Sequence, residues 1–486
     1  MTENQLTFHG GKNIALLPLT LFIISCSLFF SVYHVFDLTA LAMCAFIAIM
    51  IGALFSRNVG DYWRAVISQG IGSEMAVTIA TILLIIGMYA RMIAQSGVAA
   101  SFAMLASQLG LHDGAFTLFT FVAVCIVSTA TGTSIGTLFT AFPVFYPSGI
   151  LLGADPIVLA SAILCGAIFG DNIAPISDTT VASASTQSYT NRRGSAEIAG
   201  VVAARFRFAI VSALIACVFF YLFGAHRGPV PSLHIDSHAA ASWHSLWMLL
   251  PMAVLLGVAM KTRNIFKAIP AGILSGIVIG LLCGIFHIAD IFTLENGNAN
   301  GFLYKGFSGM VSTILFVLSL FGIIGILRAS NTMERISSAI CGSKLAQSTR
   351  GAEWCIAIGS IVTTALVGGV TSASILAFGP VASEIGARRK LHPYRRAVLL
   401  DCFAMTLAAI LPFLSAFIFI VSAIISSLQK DYPFIHDVNP IYLSLTSFYP
   451  LALFAVMSFA IVVGWGRHYE NSEGEAVRYL AEEPRP

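Results

Sequence analysis

Charge is what this chain has least of. Only 10% of its 486 residues are Asp, Glu, Lys or Arg, where soluble domains carry about 25%. With 57% hydrophobic residues and a mean hydropathy of +0.87, a soluble core is excluded and a polytopic membrane protein expected. The formal net charge of +3 comes from basic residues concentrated in particular loops, and none of them suggests a nucleic-acid partner. Paired cysteine spacing is also missing. The nine cysteines all lie in or beside apolar stretches, so neither a disulfide framework nor a zinc site is expected, and they read as small packing residues. No nucleophile-and-base pair or metal cluster suggests an enzyme, and no cofactor is called for. The apolar run from Ile14 to Phe36 lacks a small-residue cleavage site and is long for a signal peptide, so it reads as the first span.

What the chain does have is a dozen apolar runs, near 14–36, 38–56, 74–96, 115–148, 157–187, 198–223, 243–260, 265–286, 309–327, 353–386, 397–428 and 441–466. At about 20 residues per crossing, 115–148 and 353–386 are too long for one helix. Each is interrupted by small and hydroxyl residues, Thr129 to Thr137 in one and Gly368 to Ser374 in the other. Both are expected to be re-entrant hairpins with tips at mid-membrane, where bare backbone is tolerated only beside protein or a water cavity. Two further runs, 157–187 and 397–428, are expected to be broken helices.

The basic residues orient this arrangement. With both termini cytoplasmic and each hairpin returning to its own side, most Lys and Arg fall inside, including Arg192, Arg193, Arg328, Arg388, Arg389, Arg395, Arg396 and Arg467. Only Arg91, Arg227, Lys305 and Lys430 fall outside. The count favours ten full crossings plus two hairpins, in a multi-pass protein of the inner (cytoplasmic) membrane.

Gly87, Thr133 and Ser134 recur 238 positions later as Gly325, Thr371 and Ser372, and Pro175 recurs at a spacing of 237 as Pro412. Five crossings per half is an odd number, so the second copy must enter the membrane upside down. The fold expected is all-α, with two inverted repeats of five transmembrane helices, each carrying one re-entrant hairpin and one broken helix. The first repeat is placed at 1–223, an external linker at 224–242, the second repeat at 243–466, and a cytoplasmic tail at 467–486. The linker region holds His226, His234, His238 and His244, read as solvated, with a metal or pH-sensing role as the other reading. From Glu470 to Pro486 the tail is charged and expected to be disordered.

Chemistry concentrates in the stretch from Phe169 to Thr180, which puts Asp171 and Asp178 inside an apolar run. Even the lenient insertion scale charges about 2.5 to 3.5 kcal/mol for an acid at the bilayer centre, so acids there usually face a cavity and handle ions, protons or substrate. Pro175 lacks an amide proton and should unwind the helix between them, freeing carbonyl oxygens beside Asp171, Asn172, Ser177, Asp178 and Thr179. Hard cations such as Na⁺ want oxygen ligands, and the tip residues Thr133 and Ser134, with Thr131 and Thr137, could complete a cage. The competing reading is that many of these hydroxyls cap half-helices, Asp178 included. In the second half no acids are duplicated: Thr371, Ser372, Ser374, Thr406 and Ser415 would form a neutral site, suited to an organic solute or to packing alone. Arg91 would either snorkel or meet an anionic substrate, Arg205 and Arg207 would anchor the cytoplasmic start of a span, and Asp401 would ionise cheaply near a span end.

The segment Gly166 to Thr180, preceded by Thr131-Gly132-Thr133-Ser134-Ile135-Gly136-Thr137, resembles the NhaC family of Na⁺/H⁺ antiporters. It is similar to that family's Gly-Asp-x-x-x-Pro-x-Ser-Asp-Thr-Thr pattern. The resemblance implies cations and substrate held between two hairpin tips and two broken helices, with Asp171 and Asp178 as the Na⁺-site acids. It also implies Na⁺ and H⁺ as transported or coupling ions, in a lipid bilayer, with assembly as a homodimer allowed. Because the wider group also contains carriers, the alternative to Na⁺/H⁺ exchange is a Na⁺- or H⁺-coupled carrier of a small organic acid or amino acid.

Overall fold

Apolar runs of this length hide their backbone polar groups by coiling, and the chain is accordingly a helical bundle. The structure is a computed structural model describing residues 6–31, 37–226, 243–262, 264–295, 297–332, 335, 344–412 and 414–479. Among these, eight helices are long and apolar enough to cross a membrane. The described cysteines are all free, and His234 and His238 lie outside the described residues.

Four elements position the site. The first helical hairpin pairs Asp113–Thr131 with Ser134–Leu151. Its turn needs Gly132, which takes the left-handed φ of +67° that a side chain would resist. Thr133 then caps the second arm by accepting from the Gly136 amide. The first broken helix runs Pro156–Ile173, stops across Ala174 to Ser177, and resumes as Asp178–Ser185, with Pro175 inside the gap. The second hairpin pairs Thr349–Leu366 with Thr371–Ala387 around Gly368 and Gly369, both at positive φ. The second broken helix comprises Pro393–Ala404, a short 3-10 turn Leu407–Ile410, and Ala416–Gln429, with Pro412 in the gap.

Contacts define two ends of the bundle. At one end the first hairpin closes on itself, the Asp113 amide donating to the Leu152 carbonyl (3.0 Å), and the Asp155 amide donates to Gly224 (2.8 Å). At the other, arginine-rich end the second hairpin closes, with Arg389 Nε donating to the Ala346 carbonyl (3.0 Å). There too Arg396 Nη2 donates to the Ser188 carbonyl (2.8 Å). Each tip meets the gap of its own half. A Cβ on Gly132 would sit 2.5 Å from Ile176, and the Ala416 amide donates to the Gly368 carbonyl (2.9 Å). Beyond the first tip the broken helix continues for the eight residues Asp178–Ser185, about 12 Å at 1.5 Å per residue.

Several charged residues sit otherwise than the sequence suggested. Arg205 and Asp401 are fully buried and form an ion pair with each other, rather than standing at solvated span ends. Each is held because its partner belongs to the opposite half, which local sequence does not display. Arg91 pairs with Asp431 at 2.5 Å, with both side chains largely buried. The tail is ordered as far as Tyr479: Tyr469–Glu470 pairs antiparallel with Ala476–Val477. Glu470 is buried there because its carboxylate accepts from the Thr190 and Asn191 amides at 2.7 and 2.8 Å. The rest of the tail, 480–486, lies outside the described residues.

Candidate ion and substrate cavity

The gap at Pro175 leaves Asp171 in the last turn of one half-helix and Asp178 in the first turn of the next. Asp171 is buried, 7% exposed. Its carboxylate accepts from Ser134 Oγ on the hairpin tip at 2.7 Å and from Ser177 Oγ within the gap. Ser177, not Asp178, is the residue that caps the resumed helix, accepting from the Thr179 amide at 3.3 Å. Asp178 is thereby left exposed. Gly170 explains how the acid reaches the tip: a methyl group there would overlap Ser128 and the Thr129 amide, so its absence lets the broken helix lie directly on the first hairpin.

Both acids line a cavity of about 240 Å³ that both hairpin tips and both broken helices share. One wall is polar, built from Thr133, Ser134, Asp171, Asp178 and Thr179 of the first half. Facing it are Thr371 and Ser372 at the second tip, and Met75, Ile79, Ile82, Phe417 and Ile420 supply apolar surface. Thr78 also lines the cavity; lying in an unbroken apolar helix, it gave no sequence signal. The volume far exceeds the roughly 10–15 Å³ of probe space that a single water needs. Two carboxylates with convergent hydroxyls, and neither His nor Cys in the lining, make a hard oxygen site, fit for alkali cations or protons. Among the described residues no three of His, Cys, Asp and Glu come together.

The remaining residues singled out from sequence stand away from this wall. Asn172 turns to the other side, its Nδ2 donating to the Tyr449 hydroxyl at 2.8 Å. Ser177 lies behind Asp171, as its hydrogen-bond donor. Ser374 is engaged with Thr364 (2.6 Å) and the Thr371 carbonyl (2.8 Å) inside the second hairpin. Thr406 donates to the Phe403 carbonyl at 2.7 Å. Ser415 caps Ala416–Gln429 and donates to Ala409 across the gap. Thr131 and Thr137 bond to each other at 3.1 Å.

Directly behind the resumed half-helix lies the Arg205–Asp401 pair, which sequence reasoning missed. Arg205 donates to Thr180 Oγ1 at 2.6 Å, and Asp401 accepts from Ser183 Oγ at 3.2 Å. Asp178–Ser185 is therefore tied on its back to a buried ion pair spanning the two halves. The same segment's far end meets the second hairpin, where Gln187 Nε2 donates to the Gly379 carbonyl at 2.9 Å.

Comparison with known proteins places this geometry in context. Residues 12–225 match the Na⁺/H⁺ antiporter family. The malate-2H⁺/Na⁺-lactate antiporter of Bacillus subtilis is 25% identical over 313 residues, 62% of this chain and 65% of the relative. The Na⁺/H⁺ antiporter NhaC of Alkalihalophilus pseudofirmus is 24% identical over 303 residues, 57% of this chain and 63% of the relative. The matches thus span just under two thirds of each relative's length. The resemblance to the NhaC antiporters drawn from Gly166 to Thr180 is borne out by these matches, which include that segment within 12–225. Among solved structures, the YdaH transporter of Alcanivorax borkumensis is similar at TM-score 0.38 and 14% identity, covering 81% of this chain and 88% of that one. MtrF of Neisseria gonorrhoeae is similar at TM-score 0.33 and 13% identity, covering 93% and 97%.

Proposed function

We propose, taking the match of residues 12–225 to the Na⁺/H⁺ antiporter family as premise, that this chain is a secondary transporter exchanging Na⁺ for H⁺ at Asp171. The observation that carries the reading is a carboxylate buried at the meeting point of a hairpin tip and a helix gap, on the wall of the shared cavity. Deprotonated, Asp171 presents oxygen ligands to Na⁺ beside Ser134; protonated, it no longer does. One site that holds either ion but not both exchanges them when it opens to alternate sides. Asp178, on the same wall, adds negative charge that draws cations in.

Alternation comes from the paired halves, which we take to be inverted repeats with re-entrant hairpins. Two close crossings support the two-fold relation. Gly87 meets the Gly306 carbonyl, and Gly325 meets the Ala65 carbonyl and Gly70. An offset of 238 carries Gly87 onto Gly325 and brings Gly306 within two residues of Gly70, so each crossing is the image of the other with the halves exchanged. The arginine-rich end is assigned to the cytoplasm by the positive-inside rule.

A second reading, coupled transport of a small organic acid, is favoured by the spare volume opposite the acids, where Thr371 and Ser372 offer neutral hydroxyls, and by the malate/lactate relative. The experiment separating the two uses proteoliposomes with a pH-sensitive dye inside. An imposed Na⁺ gradient should move protons with no organic solute present. Proton movement that begins only when malate or lactate is added would replace simple exchange with the carrier reading.

A further inference from the structure

A further unassigned feature is a cavity of about 580 Å³ at the arginine-rich end, walled by Arg207, Trp465, Arg467, His468, Arg478 and Tyr479, with no carboxylate lining it among the described residues. It is a built feature of the chain. The last apolar helix, Phe448–Val463, ends at Gly464, and the turn through Gly464 and Gly466 holds both at positive φ. A Cβ on Gly466 would stand 2.8 Å from Arg207 Nη2, so the glycine leaves room for the guanidinium. Arg207 is half-buried, and its Nε is sheltered without a hydrogen-bond partner among the described residues. Among the described residues, Arg467 is the one lining arginine with a protein counter-ion, Glu353. Glu353 is already shared with Arg395, whose Nε lies 2.7 Å from it, so positive charge remains in excess. Arg478 is exposed.

Position narrows the ligand. The helix Ile198–Phe223 that carries Arg207 has 26 residues, about 39 Å at 1.5 Å per residue against a hydrocarbon core of about 30 Å. Arg207, its tenth residue, stands level with the end of Phe448–Val463, where the chain leaves its last apolar helix through Gly464 and Gly466. Guanidiniums lining one cavity match the oxygens of a phosphate, which they can bind in bidentate fashion. Basic pockets at the ends of membrane helices on this side bind anionic headgroups by the same chemistry.

We propose that this cavity binds a phosphate-bearing anion, supplied either by an anionic phospholipid headgroup or by a soluble phosphate compound. Arg207 and Arg478 are its principal contacts. Because Arg467 and Glu353 tie the cavity wall to the base of the second hairpin, occupancy would stiffen the hairpin's anchorage. The test is the thermal unfolding midpoint of the full chain in detergent. Dioleoyl-phosphatidylglycerol is compared with dioleoyl-phosphatidylcholine in mixed micelles, and inorganic phosphate with chloride at equal ionic strength. Saturable stabilisation by phosphatidylglycerol alone assigns the lipid source; saturable stabilisation by phosphate assigns the soluble one. In either case Arg207→Gln and Arg478→Gln should each raise the half-saturating concentration about tenfold, as loss of one charge-assisted hydrogen bond does. Should Arg207→Gln fail to fold, the exposed Arg478 still gives the answer. Equal effects of phosphatidylglycerol and phosphatidylcholine with none from phosphate, or half-saturation unchanged in the variants, would overturn the proposal.

Discussion

Asp171→Asn is expected to reduce Na⁺-driven proton movement in proteoliposomes by at least about 100-fold, with the protein still inserted and folded. Losing an outer partner of a metal ligand already costs roughly 10–100-fold, and here the ligand's own charge is removed. The amide keeps the volume of the carboxylate and one oxygen to accept from Ser134 or Ser177, so the contact between tip and broken helix survives. What disappears is the negative charge and the exchangeable proton. Asp178→Asn should be milder, weakening apparent Na⁺ affinity by about tenfold, because Asp178 lies exposed and has no hydrogen-bond or ion-pair partner among the described residues. If Asp171→Asn retained wild-type exchange while Asp178→Asn lost it, the roles would be reversed.

The second large effect concerns stability. Arg205 and Asp401 are wholly buried and face each other across the two halves, and truncating one member leaves the other as an uncompensated charge, at a cost of about 3–5 kcal/mol. Arg205→Met and Asp401→Leu should each lower the unfolding midpoint in detergent sharply. The double variant should recover most of the loss, because an apolar pair of similar volume often replaces a buried ion pair with little penalty. Additive losses in the double variant would show that the two residues act independently. The partially restored protein also isolates the pair's role in transport, since Thr180 and Ser183, which it braces, belong to the half-helix that begins at Asp178.

How far this was legible from sequence depends on the range of the signal. The first broken helix could be read because everything that breaks it is local: Pro175 removes an amide, and two acids in an apolar run must face something polar. The hairpin turns were legible for the same reason, as an apolar run too long for one crossing has to turn, and glycines at 132, 368 and 369 take the positive φ of that turn. Which hydroxyls face the cavity was not legible. Thr371 and Ser374 are only three residues apart on one helix face, yet one lines the cavity and the other bonds to Thr364, a difference of local packing that residue type does not encode. Arg205 resembled a span-end anchor because its partner lies 196 positions away, in the other half. Glu470 resembled part of a disordered tail because the amides that hold it, at Thr190 and Asn191, are equally remote.

The central claim is that Na⁺ and H⁺ compete for one carboxylate. Its most direct test is the half-saturating Na⁺ concentration for exchange, measured in proteoliposomes from acid to alkaline pH at fixed membrane potential. Competition predicts that this concentration climbs as the medium is acidified, approaching about tenfold per pH unit, while the maximal rate at saturating Na⁺ is preserved. A half-saturating Na⁺ concentration that stays constant across the range, with only the maximal rate changing, would mean that the two ions do not share Asp171.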